Sequence, residues 1–78
     1  MNIEKFMPVF IVNKNAQSNG DHEVHNKTTG CSFMPNIENQ VAAGTHISCA
    51  GAVAEVKKNN PSLRINGCYY CCTACHTS

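Results

Sequence analysis

Six cysteines and four histidines are the side chains of this 78-residue sequence whose types and spacing point to chemistry. The C-terminal segment reads Cys68-Tyr69-Tyr70-Cys71-Cys72-Thr73-Ala74-Cys75-His76, with CxxC at 68/71 and again at 72/75. That spacing lets two thiolates meet one metal ion at about 2.3 Å, because the intervening backbone folds into a knuckle. Cys68 and Cys71 make half of a tetrahedral zinc site in this way. Upstream, His25 is followed by a Gly-containing turn and then Cys31. If that turn bends back, both side chains reach one ion. The simplest complete site is His25, Cys31, Cys68 and Cys71. Four protein ligands leave no open position, so the ion's expected role is structural and not catalytic. Three thiolates leave such a site with net negative charge, which backbone N–H donors, His22 or Lys27 would offset.

Other uses of these residues stay open. Cys49 reads as a small buried hydrophobe or, alternatively, as a partner for Cys75. Its place near a helix N-terminus would lower its thiol pKa and make it reactive. Cys72 reads as spare or core. Cys75 and His76 are alternative ligands. His22 reads as a hydrogen-bonded strand residue, His46 as solvent-facing, and Tyr69 and Tyr70 as one core and one surface residue. No motif pairs a cysteine with a histidine for nucleophilic catalysis. There is no phosphate-cradling glycine loop, and the acidic residues are scattered. The chain is therefore expected not to be an enzyme. A thiol-redox role for Cys68 and Cys71 would require the βαβ context of thioredoxin-like proteins.

The elements that must position these residues are short. Phe6–Val12 is rich in Val, Ile and Phe and reads as an edge strand with Pro8 near its start. As an apolar run it is at the bottom of the range for a secretory leader. Asn19-Gly20 marks a turn. Residues 22–26 alternate, placing His22 and Val24 on one side and Glu23 and His25 on the other. Residues 31–35 read as a knuckle or short helical turn, 36–40 as loop, and 40–47 as a third strand weakened by Gly44. Residues 48–60 give the clearest helix, with Ser48 as N-cap. Cys49, Ala52, Val53 and Val56 form its apolar stripe, Lys57 and Lys58 complement its dipole, and Pro61 ends it. Residues 62–67 read as a connector anchored by Leu63 and Ile65, and 68–78 as the Cys-rich tail.

Composition explains why a staple is needed. Only fifteen residues are Leu, Ile, Val or Phe, with a single Leu and no Trp. So short a chain with so few large aliphatics usually requires a metal, disulfides or a partner. No apolar run approaches the roughly 20 residues of a spanning helix, so no membrane role is expected. The near-balance of charge, with a formal net charge of +1, argues against nucleic acid as a partner. Reduced thiols binding metal imply a cytoplasmic protein. The alternative is a secreted or periplasmic protein whose six cysteines form three disulfides.

Several segments carry a resemblance. Asn19 to His25, Cys31, Ser48-Cys49, Gly67 to Cys71 and Cys75 to Ser78 resemble a group of short bacterial proteins of Bacteroides-type organisms with no assigned activity. That resemblance implies no enzyme. More loosely, the plan is similar to the Ada-type zinc-binding fold: a strand bearing His or Cys, a knuckle Cys, a helix after a short strand and a closing CxxC. It would place ligands at His25, Cys31, Cys68 and Cys71. The sequence departs from that fold in the five residues between His25 and Cys31 and in the additional Cys72, Cys75 and His76. The Ada-type link to DNA does not carry over without a basic surface.

The resulting expectation is a single small α+β domain over residues 1–78. It would have an antiparallel sheet of two or three strands at about 6–12, 22–26 and 40–47, one main helix at about 48–60, and the Cys-rich knuckle. Its expected function is that of a zinc-stabilised binding or interaction module, monomeric, with an unknown protein as partner.

Overall fold

The computed structural model describes residues 7–77. Four strands form one mixed sheet: β1 (Val9–Asn13), β2 (Asp21–Asn26), β3 (Gln40–Thr45) and β4 (Arg64–Gly67). Their order across the sheet is β3-β1-β2-β4. The one α-helix among the described residues, α1 (Cys49–Asn59), lies between β3 and β4 in the chain. Short 3-10 turns occur at Ile37–Asn39 and Thr73–Cys75.

β1 pairs antiparallel with both β2 and β3. It is therefore an interior strand and not the edge strand its proline suggested. Pro8 stays outside the ladder, where its missing N–H costs nothing and its carbonyl accepts the His46 N–H at 3.1 Å. Phe6, the first residue of the expected strand, lies outside the described residues. Phe10 and Val12 point to one face of the sheet and join Val24, Ala43, Ile65, Cys68 and Cys72 in the core. Helix α1 closes that core with Ala52 and Val56, both buried, while Cys49 and Val53 pack alongside. The helical stripe read from spacing is thus the face that packs. Ser48 occupies the N-cap position in extended conformation, but its side chain makes no capping bond.

The sheet has four strands where two or three were expected. Arg64–Gly67, read as a connector, pairs parallel with β2 in the register Asp21↔Arg64 to Val24↔Gly67. A parallel partner arrives only through a crossover, here α1, so no local turn signal announces it. Polar groups converging on the buried Asp21 hold the pairing. Arg64 Nε donates to Asp21 Oδ1 at 2.9 Å, and Asn66 Nδ2 donates to Asp21 Oδ2 at 3.4 Å. Ile65 is buried as expected, whereas Leu63 remains 43% exposed.

Two glycines are required by geometry. Gly44 has φ +86°, in the segment where the β1–β3 register shifts, and a glycine there relieves a bulge that other residues would strain. The shift lets the chain turn toward α1, and His46 is not solvent-facing. Its Nε2–H donates to the Ala43 carbonyl at 2.9 Å and lies 3.5 Å from Glu55 Oε2. At Gly67 the reason is space. A Cβ there would lie 2.6 Å from Cys75 Cβ and 2.9 Å from the Cys72 carbonyl oxygen. Gly67→Ala should cost about 1–3 kcal/mol of stability, the usual penalty for overpacking. Urea unfolding of the variant beside the wild type measures it.

Candidate metal centre

The centre forms where the ends of β2 and β4 meet. Strand β2 delivers His25 at its penultimate position, on the face opposite Val24. The chain then turns through Asn26 to Gly30. Asn26 Oδ1 accepts the Thr29 N–H at 3.1 Å, and Thr28 Oγ1 accepts the Val9 N–H at 2.9 Å. This turn returns the chain to Cys31. From the other side, β4 ends at Gly67 and hands Cys68 directly to the sheet end. There the Cys68 N–H donates to the Val24 carbonyl at 2.9 Å. The chain folds back at once, the Cys72 N–H donating to the Cys68 carbonyl at 2.9 Å, and this swings Cys71 under the loop.

The result brings together the four residues singled out by spacing. One ligand atom each from His25, Cys31, Cys68 and Cys71 lies within 4.8 Å of every other, and the group could hold a metal ion. Cys31 Sγ is 3.7 Å from Cys68 Sγ. Cys71 Sγ is 3.5 Å from His25 Nδ1. His25 and Cys68 are fully buried, and Cys31 and Cys71 partly so. Backbone donors reach two of the sulfurs: the Tyr70 N–H to Cys68 Sγ and the Asn26 N–H to Cys71 Sγ, both at 3.4 Å. The first is the knuckle bond that CxxC spacing provides. The second comes from β2 and depends on tertiary structure. Neither His22 nor Lys27 performs that task. His22 Nδ1 is 3.0 Å from the Asn13 carbonyl, and Lys27 is exposed.

His25 turns Nδ1 toward the sulfurs and Nε2 toward Glu23 Oε1, 3.8 Å away. A carboxylate beyond the remote ring nitrogen favours the tautomer that leaves Nδ1 free to ligate. The period-two spacing of Glu23 and His25 in the sequence carries this signal. Burial lowers the His25 pKa from its ordinary value, so the ring is neutral at neutral pH. Burial raises the Glu23 pKa, with His76 opposing the rise and Asp21 adding to it. Burial also raises the thiols of Cys68, Cys71 and Cys72. Desolvation disfavours the thiolate unless positive charge is nearby, and a bound divalent ion would supply that charge.

The remaining candidates are placed elsewhere. Cys49 is bonded to Cys75 in a disulfide, so it is neither a free thiol nor a reactive one, and Cys75 is not a ligand. Cys72 is buried in the core. His76 Nδ1–H donates to the Gly67 carbonyl at 3.0 Å. Tyr69 and Tyr70 are both at the surface, 57% and 65% exposed, where a core position was expected for one of them. Tyr70 stacks on Phe33, itself 55% exposed, with ring centroids 4.3 Å apart. Tyr69 stands edge-on to Tyr70. The chain between Cys68 and Cys71 is consumed by the knuckle, so both intervening side chains project outward.

Comparison of the chain with protein-family models, curated proteins and solved structures finds no match. No helix among the described residues is long and apolar enough to cross a membrane.

The raised thiols fix a pH dependence. Cys31, Cys68 and Cys71 must each release a proton when metal binds, so protons compete with the ion. The apparent log affinity should rise by about two or more per pH unit below the thiol pKa values, and fall correspondingly in acid. Chelator competition at a series of pH values measures the slope.

Proposed function

We propose that this chain is a binding or interaction module stabilised by one structural zinc ion, without enzymatic activity. The observation that carries the reading is the spacing of the ligand atoms. A tetrahedral zinc ion with Zn–S of about 2.3 Å and Zn–N of about 2.0–2.1 Å sets S–S edges of roughly 3.8 Å and N–S edges of roughly 3.5 Å. The Cys31–Cys68 separation is 3.7 Å and the Cys71–His25 separation is 3.5 Å. Three thiols and one imidazole suit zinc better than harder cations such as magnesium or calcium. With four protein ligands the coordination sphere is closed, which favours a structural role. Phe33, Tyr69 and Tyr70, exposed beside the site, support contact with a protein, since aromatic side chains are enriched at such interfaces.

The disulfide gives specific support to a second reading, a protein of an oxidising compartment. There the cluster cysteines would pair covalently instead of binding metal. Native mass spectrometry without chelator separates the two. The first reading expects the mass of one zinc ion with the hydrogens of one disulfide lost. Loss of the hydrogens of three disulfides, without metal, favours the second.

Removing a ligand should remove both metal and fold, because the binding energy of a structural ion is folding energy. Cys31→Ser is expected to lose zinc and most of its cooperative thermal transition, followed by metal analysis and circular dichroism. Tyr70→Ala, which alters an exposed ring, should retain the metal stoichiometry of the wild type.

A further inference from the structure

The tetrad leaves the Cys49–Cys75 disulfide without a part in metal binding, yet the two are joined through a very short stretch of chain. Cys75 packs its Cβ where Gly67 has none; the space for a Cβ at Gly67 is already taken to within 2.6 Å. Gly67 immediately precedes Cys68. Between Cys71 and Cys75 lies Cys72, buried, with its N–H bonded to the Cys68 carbonyl and its carbonyl accepting the Cys75 N–H, each at 2.9 Å. The tail beyond returns to β4, with His76 on the Gly67 carbonyl at 3.0 Å and the Thr77 N–H on Asn66 Oδ1 at 3.0 Å. The knuckle is thus braced on both sides by the 3-10 turn at Thr73–Cys75. The disulfide fastens that turn to the first turn of α1, whose Ala52 and Val56 sit in the core with Val24. Val24 in turn holds Cys68 through the Cys68 N–H.

We propose that the Cys49–Cys75 disulfide and the His25/Cys31/Cys68/Cys71 centre are thermodynamically coupled: reducing the disulfide weakens metal binding, and bound metal resists reduction of the disulfide. The inference rests on the metal reading above. The redox step is balanced by two molecules of a monothiol such as glutathione. These supply two electrons and two protons, leave joined as their own disulfide, and convert Cys49 and Cys75 to free thiols. The 3-10 turn is then held against Gly67 by hydrogen bonds and packing alone. Its detached state becomes populated, and apparent metal affinity falls by the fraction of molecules that remain competent. A coupling of about tenfold is typical of such linked sites, and it must be the same in both directions. Tenfold for a two-electron couple corresponds to about 30 mV. The same chain would therefore grip its ion more tightly in an oxidising compartment than in a reducing one, provided the tetrad stays loaded.

The test uses the full chain with the disulfide intact and Cys31, Cys68, Cys71 and Cys72 reduced, both verified by alkylation and mass analysis. Zinc affinity is measured by chelator competition for the wild type and for the double variant Cys49→Ser with Cys75→Ser. The expected result is one zinc in each, bound about tenfold more weakly by the variant. Equal affinities, within about twofold, overturn the coupling while leaving the metal reading intact. A wild type that takes up no zinc overturns the metal reading itself. A second measurement does not depend on the variant folding. The Cys49–Cys75 couple of the wild type is titrated in glutathione buffers with and without zinc, and the alkylated Cys49 and Cys75 peptides are quantified. A midpoint lower by about 30 mV with zinc is expected; an unchanged midpoint overturns the coupling.

Discussion

Three sulfurs and one imidazole nitrogen lie within 4.8 Å of one another where the end of β2, the loop behind it and the segment leaving β4 meet. The aliphatic core is thin: two valines, one isoleucine and one phenylalanine of the sheet, closed by an alanine and a valine of the helix together with β3's Ala43 and two cysteines. A core of this size leaves little margin over the conformational entropy of the chain. The centre therefore sits where contacts of long sequence separation are most needed, at the junction of β2 with a strand some forty residues later in the chain.

The electrostatic consequence follows from burial. Withdrawn from water, the thiols of Cys68 and Cys71 hold their protons more tightly than a free thiol, and His25 holds its own less tightly. Both shifts favour neutral groups, so the cluster is compatible with the interior when uncharged. Introducing a divalent cation reverses the preference at sulfur, and the two backbone N–H donors from Tyr70 and Asn26 are already aimed at the charge that would develop. Glu23 beyond His25 completes the arrangement at a longer distance. The groups that could hold a cation are thus drawn from β2 as well as from the knuckle.

A disulfide and a set of free thiols in one small fold make opposite demands on the redox environment. Their separation in space resolves part of that conflict. Cys49 and Cys75 join the helix to the tail, while Cys31, Cys68 and Cys71 face the loop side with His25. Cys72, adjacent in sequence to one set and three residues from the other, is committed to the core instead. Cys75 packs against Gly67, the residue before Cys68, and the missing side chain there leaves room for the tail.

Local chemistry in the sequence was enough to identify the helix, three of the strands and the four residues that converge. The CxxC knuckle constrains its own geometry, the apolar stripe of Cys49, Ala52, Val53 and Val56 repeats at helical period, and β2 alternates at period two. These signals act over a few residues and survive without knowledge of the rest. What the sequence did not disclose depends on distant partners. β4 is a strand only because β2 accepts it in parallel after a crossover, and four residues carry too little pattern to declare that. β1 is interior because β3 pairs with its other edge. The pairing of Cys75 with Cys49 depends on the tail, which packs on Gly67 and lies at the start of the helix. Which sulfur meets which is settled by chain reversal over long loops, and residue type and short spacing do not encode it.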